Sequence, residues 1–169
     1  PSGGRSQFSG NYVDLPAKPL YPFGFGLSYT TFEYGDLRLS KKKVDSTGAI
    51  EISCSVKNAG SVPGDEVVQL YVHDREATIT RPIQELAAFC RIHLKPGETK
   101  TISFGLKISQ LAFYNVDMQF VVEPGNIDVM LGSSSEDIRL RGEFEITGSV
   151  LKVDGARPFT SEVVCRPGA

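Results

Sequence analysis

From Phe32 onward the chain alternates apolar and polar residues with period two, and this rhythm constrains its fold more than any other feature. Successive side chains of an extended strand point to opposite faces, so such a segment buries one face and leaves the other to water. Leu37 and Leu39 mark a first strand. Ile50, Ile52, Cys54 and Val56 line one face of a second, with Glu51, Ser53 and Ser55 opposite. Val68, Leu70 and Val72 form the inward set of a third, with Gln69 and Tyr71 turned outward. Cys90, Ile92 and Leu94 alternate with Arg91 and His93 in a fourth, and Ile102, Phe104 and Leu106 mark a fifth. Ile127, Val129 and Leu131 make a sixth; Ile138, Leu140, Phe144 and Ile146 make a seventh, whose outward positions are Arg139, Arg141, Glu143 and Glu145. Turn chemistry separates them: Asn58-Ala-Gly60, Lys95-Pro-Gly-Glu98 and Glu123-Pro-Gly-Asn126 carry the residues that accept positive φ or preset a tight turn. About seven short strands at this spacing predict an all-β, antiparallel β-sandwich. Helix is confined to one expected turn, Ser109-Gln-Leu-Ala-Phe113, with Ser109 as its cap.

Three segments follow. Residues 1–31 read as a linker rich in Gly and Pro, residues 32–147 as the sandwich, and residues 148–169, where alternation fades, as a C-terminal tail that lies on something or frays. With 40% hydrophobic and 22% charged residues in 169, a packed core needs no metal or disulfide. The start, Pro-Ser-Gly-Gly rather than Met, is the one expected of a mature fragment, a cloned domain or a processed chain. From the linker into the first strand runs the most unusual stretch, Tyr21-Pro-Phe-Gly-Phe-Gly-Leu-Ser-Tyr-Thr-Thr-Phe-Glu-Tyr34. Aromatic side chains bury ~150–250 Å² each, so Tyr21, Phe23, Phe25, Tyr29 and Phe32 can clasp the linker and first strand onto a neighbouring domain. The competing reading, a stacking platform for sugar rings, fits less well, because the interleaved Gly and Pro set a winding path.

No pattern for catalysis stands out. Retaining glycoside hydrolysis needs two carboxyl groups about 5–5.5 Å apart, and the neighbours Asp65 and Glu66 point to opposite faces of a strand. Glu136-Asp137 falls in the polar turn between strands six and seven. His73 and His93 sit on separate strands, without metal spacing. There is no GxSxG elbow, and Gly24-Phe-Gly26 neither follows a strand nor opens a helix, so no nucleotide cofactor is indicated. Cys54, Cys90 and Cys165 form neither a disulfide framework nor a zinc set, and Cys54 and Cys90 read as buried free thiols. A net charge of -2, with Lys41-Lys42-Lys43 as its one basic run, gives no nucleic-acid signal, and no apolar stretch reaches the ~20 residues of a membrane span. No catalytic, cofactor-binding or metal residue is assigned.

The motifs nevertheless occur in a recognisable order. Pro19-Leu-Tyr-Pro-Phe-Gly-Phe-Gly-Leu-Ser-Tyr-Thr-Thr-Phe32 resembles the segment that leads into the C-terminal domain of glycoside hydrolase family 3 enzymes. Gly64-Asp-Glu-Val-Val-Gln-Leu-Tyr-Val72, Arg81-Pro82, Glu85-Leu86, Phe89 and Leu94-Lys-Pro-Gly-Glu-Thr-Lys100 are similar to that domain in the same order, as are Leu111-Ala-Phe-Tyr114, Val122-Glu-Pro-Gly125, Val129, Gly132 and Ser133-Ser-Ser135. The likeness covers about residues 19–147. It implies a fibronectin-III-like (immunoglobulin-like) sandwich packed on the catalytic domains of the same polypeptide, a β-glucosidase or β-xylosidase whose nucleophile and acid/base both precede residue 1. This segment alone is then inactive and braces its parent. The alternatives are a module binding polysaccharide or another surface through outward groups such as Tyr71, Arg91 and His93, and a self-association contact made by the sandwich or by residues 148–169.

Overall fold

The computed structural model describes residues 18–155 and 160–168; the earlier part of the linker, with Gly3, Gly4, Gly10 and Pro16, lies outside the described residues. Twelve strands run in chain order among the described residues: β1 (Phe32–Leu39), β2 (Lys43–Asp45), β3 (Ala49–Asn58), β4 (Gly64–Asp74), β5 (Glu85–Leu94), β6 (Thr99–Lys107), β7 (Phe113–Tyr114), β8 (Phe120–Val122), β9 (Gly125–Gly132), β10 (Ile138–Thr147), β11 (Leu151–Lys152) and β12 (Glu162–Pro167). The seven strands expected from the alternation are β1, β3, β4, β5, β6, β9 and β10. The five others are short or carry no clean alternation, so period-two reasoning passes over them.

Two sheets close over one core. The first has the order β1-β3-β6-β12 and the second β2-β10-β9-β4-β5, with a small third sheet, β11-β8-β7, beside them. Ile52, Val56, Phe104 and Leu106 from the first sheet meet Val68, Leu70, Leu131 and Phe144 from the second, all fully buried or nearly so. Burying an aliphatic or aromatic side chain of this size contributes about 1.5–3 kcal/mol, which is why the inward positions accept only apolar residues. One pairing departs from the expected antiparallel pattern: β2 runs parallel to β10, with Val44 opposite Ile146. Residues 40–42 carry the chain from the edge of one sheet to the edge of the other, so β2 arrives in the direction of β10.

After residue 147 the described strands lie on the sandwich. β11 pairs with β8, and β12 continues the first sheet beyond β6, from Glu162 opposite Gly105 to Pro167 opposite Lys100. Among the described residues the one helical turn spans Ile108–Leu111, starting one residue earlier than expected, and Ser109 is not its cap. The Gln110 side-chain oxygen accepts the Lys107 N–H at 3.2 Å and the Ser161 hydroxyl at 3.1 Å, tying the turn to the start of β12. The Lys95–Glu98 turn has the expected form: Gly97 is left-handed at φ 75°, and Glu98 N–H donates to the Lys95 carbonyl at 2.9 Å.

Asn58, read from sequence as a turn former, is a buried polar hub. Its side-chain NH2 donates to the carbonyls of Val62 (2.8 Å) and Leu94 (3.0 Å). Its side-chain oxygen accepts the Thr30 hydroxyl at 2.6 Å and the Gly60 N–H at 3.0 Å. All four bonding positions of the amide are therefore filled, and they join the linker, the β3–β4 loop and the end of β5. Asn58→Ala would leave several buried partners unsatisfied and is expected to cost about 3 kcal/mol in urea unfolding. A loss below about 0.5 kcal/mol, the range of an exposed turn residue, would refute the hub.

Candidate functional site

The clasp segment is fixed at its base by polar contacts. Lys18 pairs with Glu136 at 3.0 Å. A tight turn closes where Phe25 N–H donates to the Pro22 carbonyl at 3.0 Å, and Gly24 in that turn is left-handed at φ 78°. Gly24 is required twice over: a Cβ there would meet the Gln69 amide oxygen at 2.0 Å, and an L side chain rarely adopts that φ. The Phe23 carbonyl accepts Ser135 N–H at 2.9 Å, and the Thr31 carbonyl accepts Ala59 N–H at 2.8 Å.

Gln69 on β4 joins these pieces. Its amide NH2 donates to the Gly24 carbonyl at 3.1 Å and, in a shorter bond, to the Ser133 carbonyl; its oxygen accepts the Tyr71 hydroxyl at 2.5 Å. Gln69 and Tyr71 are 3% and 2% exposed, which corrects the outward placement expected from alternation. They do lie on the face opposite Val68 and Leu70, but other parts of the chain cover that face. Tyr71 is therefore removed from the surface groups that a binding module would use. Arg91 and His93 do stand on the exposed rim, where Asp65 engages both, at 2.8 Å to Arg91 Nε and 2.6 Å to His93 Nδ1.

Above this polar base the side chains turn to solvent. Tyr21, Phe23 and Phe25 are exposed, Leu27 is 91% exposed and Tyr29 completely so. The Tyr21 and Phe25 rings are 5.2 Å apart and tilted by 37°, so they do not form a flat shelf. Phe32 stands apart from the other four, buried at the start of β1 within the sandwich core. Exposed Phe89 and Val67 extend the apolar surface across β5 and β4.

Beneath the clasp is an open cavity of about 510 Å³, whose lining includes Phe23, Glu66, Gln69, Phe89, Asp137 and Arg139. Both members of the first acidic pair, Asp65 and Glu66, and Asp137 of the second thus reach the same cavity. Asp137 is held below the usual carboxylate range by Arg139, whose guanidinium lies 2.8 Å away, and by the Ser133 hydroxyl at 2.6 Å. Arg139 also donates to the Phe32 carbonyl at 2.6 Å and stacks 4.8 Å from the Tyr34 ring centroid. Glu66 is affected in the other direction, because burial pushes its carboxyl above its ordinary range while the Val67 N–H, donating at 3.0 Å, partly offsets this. Asp137 is thus committed to Arg139 and Ser133, whereas Glu66 accepts the N–H of its chain neighbour Val67. Among the described residues no group of three or more His, Cys, Asp or Glu could hold a metal ion.

Two outcomes follow from these contacts. Gln69→Leu should speed amide exchange at residues 23–25 at least tenfold while the core strands stay protected; unchanged exchange there would remove Gln69 as the anchor. Glu66 has a folded pKa above its unfolded value, so stability falls as pH rises from the unfolded pKa through the folded one. Glu66→Gln should therefore raise Tm at pH 7, with the gain vanishing below about pH 4. A gain equal at both pH values would mean that charge burial is not the cause.

Residues 66–135 match the fibronectin type III-like domain family. Among curated proteins, the chain is 48% identical over 127 residues to a β-xylosidase of Formosa agariphila, covering 75% of this chain and 18% of that protein. It is 40% identical over 141 residues to a periplasmic β-glucosidase of Salmonella typhimurium, covering 83% and 18%. A crystal structure of a β-glucosidase from Listeria innocua in complex with isofagomine superposes with a TM-score of 0.77 at 39% identity, covering 89% of this chain and 20% of that one. β-Glucosidase 3B from Thermotoga neapolitana, in complex with α-D-glucose, gives 0.73 at 36% identity, covering 81% and 19%. The chain thus spans under a fifth of the length of these two curated relatives.

Proposed function

We propose, from the premise that this chain belongs to the fibronectin type III-like domains of the C-terminal type carried by glycoside hydrolase family 3 β-glucosidases and β-xylosidases, that it is the non-catalytic domain of a retaining, exo-acting β-glucosidase-type hydrolase and braces that enzyme's catalytic domains. The observation that carries this reading is the clasp: Leu20, Tyr21, Phe23, Phe25, Leu27 and Tyr29 stay exposed on a backbone that polar contacts hold in place. A contiguous apolar surface of this kind marks an interaction site. Each side chain that docks contributes up to about 1.5–3 kcal/mol. Because the partner belongs to the same polypeptide, docking avoids most of the translational entropy that separate molecules lose. Hydrolysis itself then rests with residues of the parent outside this chain, which agrees with the engagement of Asp137 by Arg139.

The proposal is tested in the full-length enzyme. Phe23→Ala combined with Phe25→Ala should lower its thermal midpoint by several degrees, since each truncation removes about 2 kcal/mol or more of buried aromatic surface. Turnover of an aryl β-glucoside well below the midpoint should stay within about twofold of the parent. An unchanged midpoint would defeat the clasp. Turnover by the 169 residues alone would defeat the non-catalytic assignment.

A further inference from the structure

The sequence scatters three cysteines without pattern, yet the fold brings two of them together. Cys90 Sγ and Cys165 Sγ lie 2.9 Å apart, although 75 residues separate them. Cys54, by contrast, is buried in the core on β3. The reading of Cys90 as a buried thiol is corrected here: it is partly exposed, because β5 is the last strand of its sheet. β12 is likewise the last strand of the opposite sheet. On β12, Val163 packs against the core edge, and Cys165, two residues on, shares its face. The two sulfurs therefore meet across the open mouth between the sheets, where solvent reaches Cys165.

We propose that Cys90 and Cys165 are a redox-active pair that closes to a disulfide and locks β12 across both sheets, with a small-molecule disulfide such as oxidised glutathione as the oxidant. The exchange has two steps. The Cys165 thiolate attacks one sulfur of the oxidant, forming a mixed disulfide and releasing one small thiolate. The Cys90 thiolate then attacks the Cys165 sulfur, forming the Cys90–Cys165 bond and releasing the second. The two protons lost by the cysteines are taken up by the two released thiolates, so one disulfide is reduced as another forms. Exposed Cys165 is the first to react, because burial and the hydrogen bond with Cys165 push the Cys90 thiol up, to about 12. Closure joins residues 75 apart, and a bond that closes a long loop constrains the unfolded chain strongly. It also fixes a strand whose side chains are mostly exposed and whose hold otherwise comes from its ladder with β6, from Val163 against the core edge and from Ser161. This pair is independent of the clasp and of the proposed bracing role.

The test uses the intact polypeptide that carries this chain. It is equilibrated in glutathione buffers of rising oxidised fraction, acid-quenched, alkylated, and digested with trypsin without reduction. Peptide Glu76–Arg91 should appear joined to the peptide holding Cys165, and the joined species should vanish in Cys90→Ser and in Cys165→Ser but persist in Cys54→Ser. Cys165 is exposed, so Cys165→Ser folds and serves as the thermal control. Oxidation should raise the midpoint of the transition in which this domain unfolds by roughly 5–15 °C and leave that variant unmoved. Glutathione attached to Cys165 with no joined peptide in excess oxidant would overturn the proposal, as would a joined peptide that persists in Cys90→Ser.

Discussion

A buried amide has to find its hydrogen-bond partners inside the protein, and Gln69 finds them in three parts of the chain at once. It donates to the clasp at Gly24 and to the β9–β10 loop at Ser133, and it accepts from Tyr71. β4 is consequently covered on both faces: Val68 and Leu70 close the sandwich core on one, while the clasp and its loop cover Gln69 on the other. The remaining features of the site depend on this arrangement. A clasp held only by its own aromatics would collapse them onto the sheet. Held by Gln69, Ser135 and the Gly24 turn, its backbone keeps them facing outward.

That separation of duties matches the role argued for the domain. Polar bonds beneath the segment fix its path, and apolar side chains above it stay exposed. Preorganisation of this kind reduces the ordering cost of any docking on these side chains. Asn58 does comparable work at the other end of the clasp, joining Thr30 to the β3–β4 loop and to β5. The segment is thus pinned at both ends to the sandwich. Where β5 and β12 meet, β12 is held by its ladder with β6, and the thiols of Cys90 and Cys165 lie side by side.

Alternation revealed the seven long strands because each needs one apolar face, a local requirement written into every second residue. It passed over β2, β7, β8 and β11, which are two or three residues long and show no period. It passed over β12 because Glu162–Pro167 keeps five of its six residues exposed or nearly so; an edge strand held by backbone bonds needs little apolar signal. The aromatic cluster itself was legible, since aromatics set between Gly and Pro are conspicuous in any linker. Its anchors were not. Gln69 and Asn58 are ordinary polar residues in sequence, and only chain arriving from 28 to 64 residues away makes them central.

The sequence by itself therefore determined the fold class, the inward face of each long strand, the Lys95–Glu98 turn and the aromatic character of the linker. All of these follow from side-chain direction and φ preferences over a few neighbouring residues. Tertiary structure alone decided that Tyr71 is buried, that Glu66 and Asp137 border one cavity, that Phe32 leaves the other clasp residues to join the core, and that Cys90 and Cys165 meet. Each of these depends on which distant segment comes to lie against a face, and in a sandwich that is set by the order of strands in the two sheets, which local periodicity does not encode.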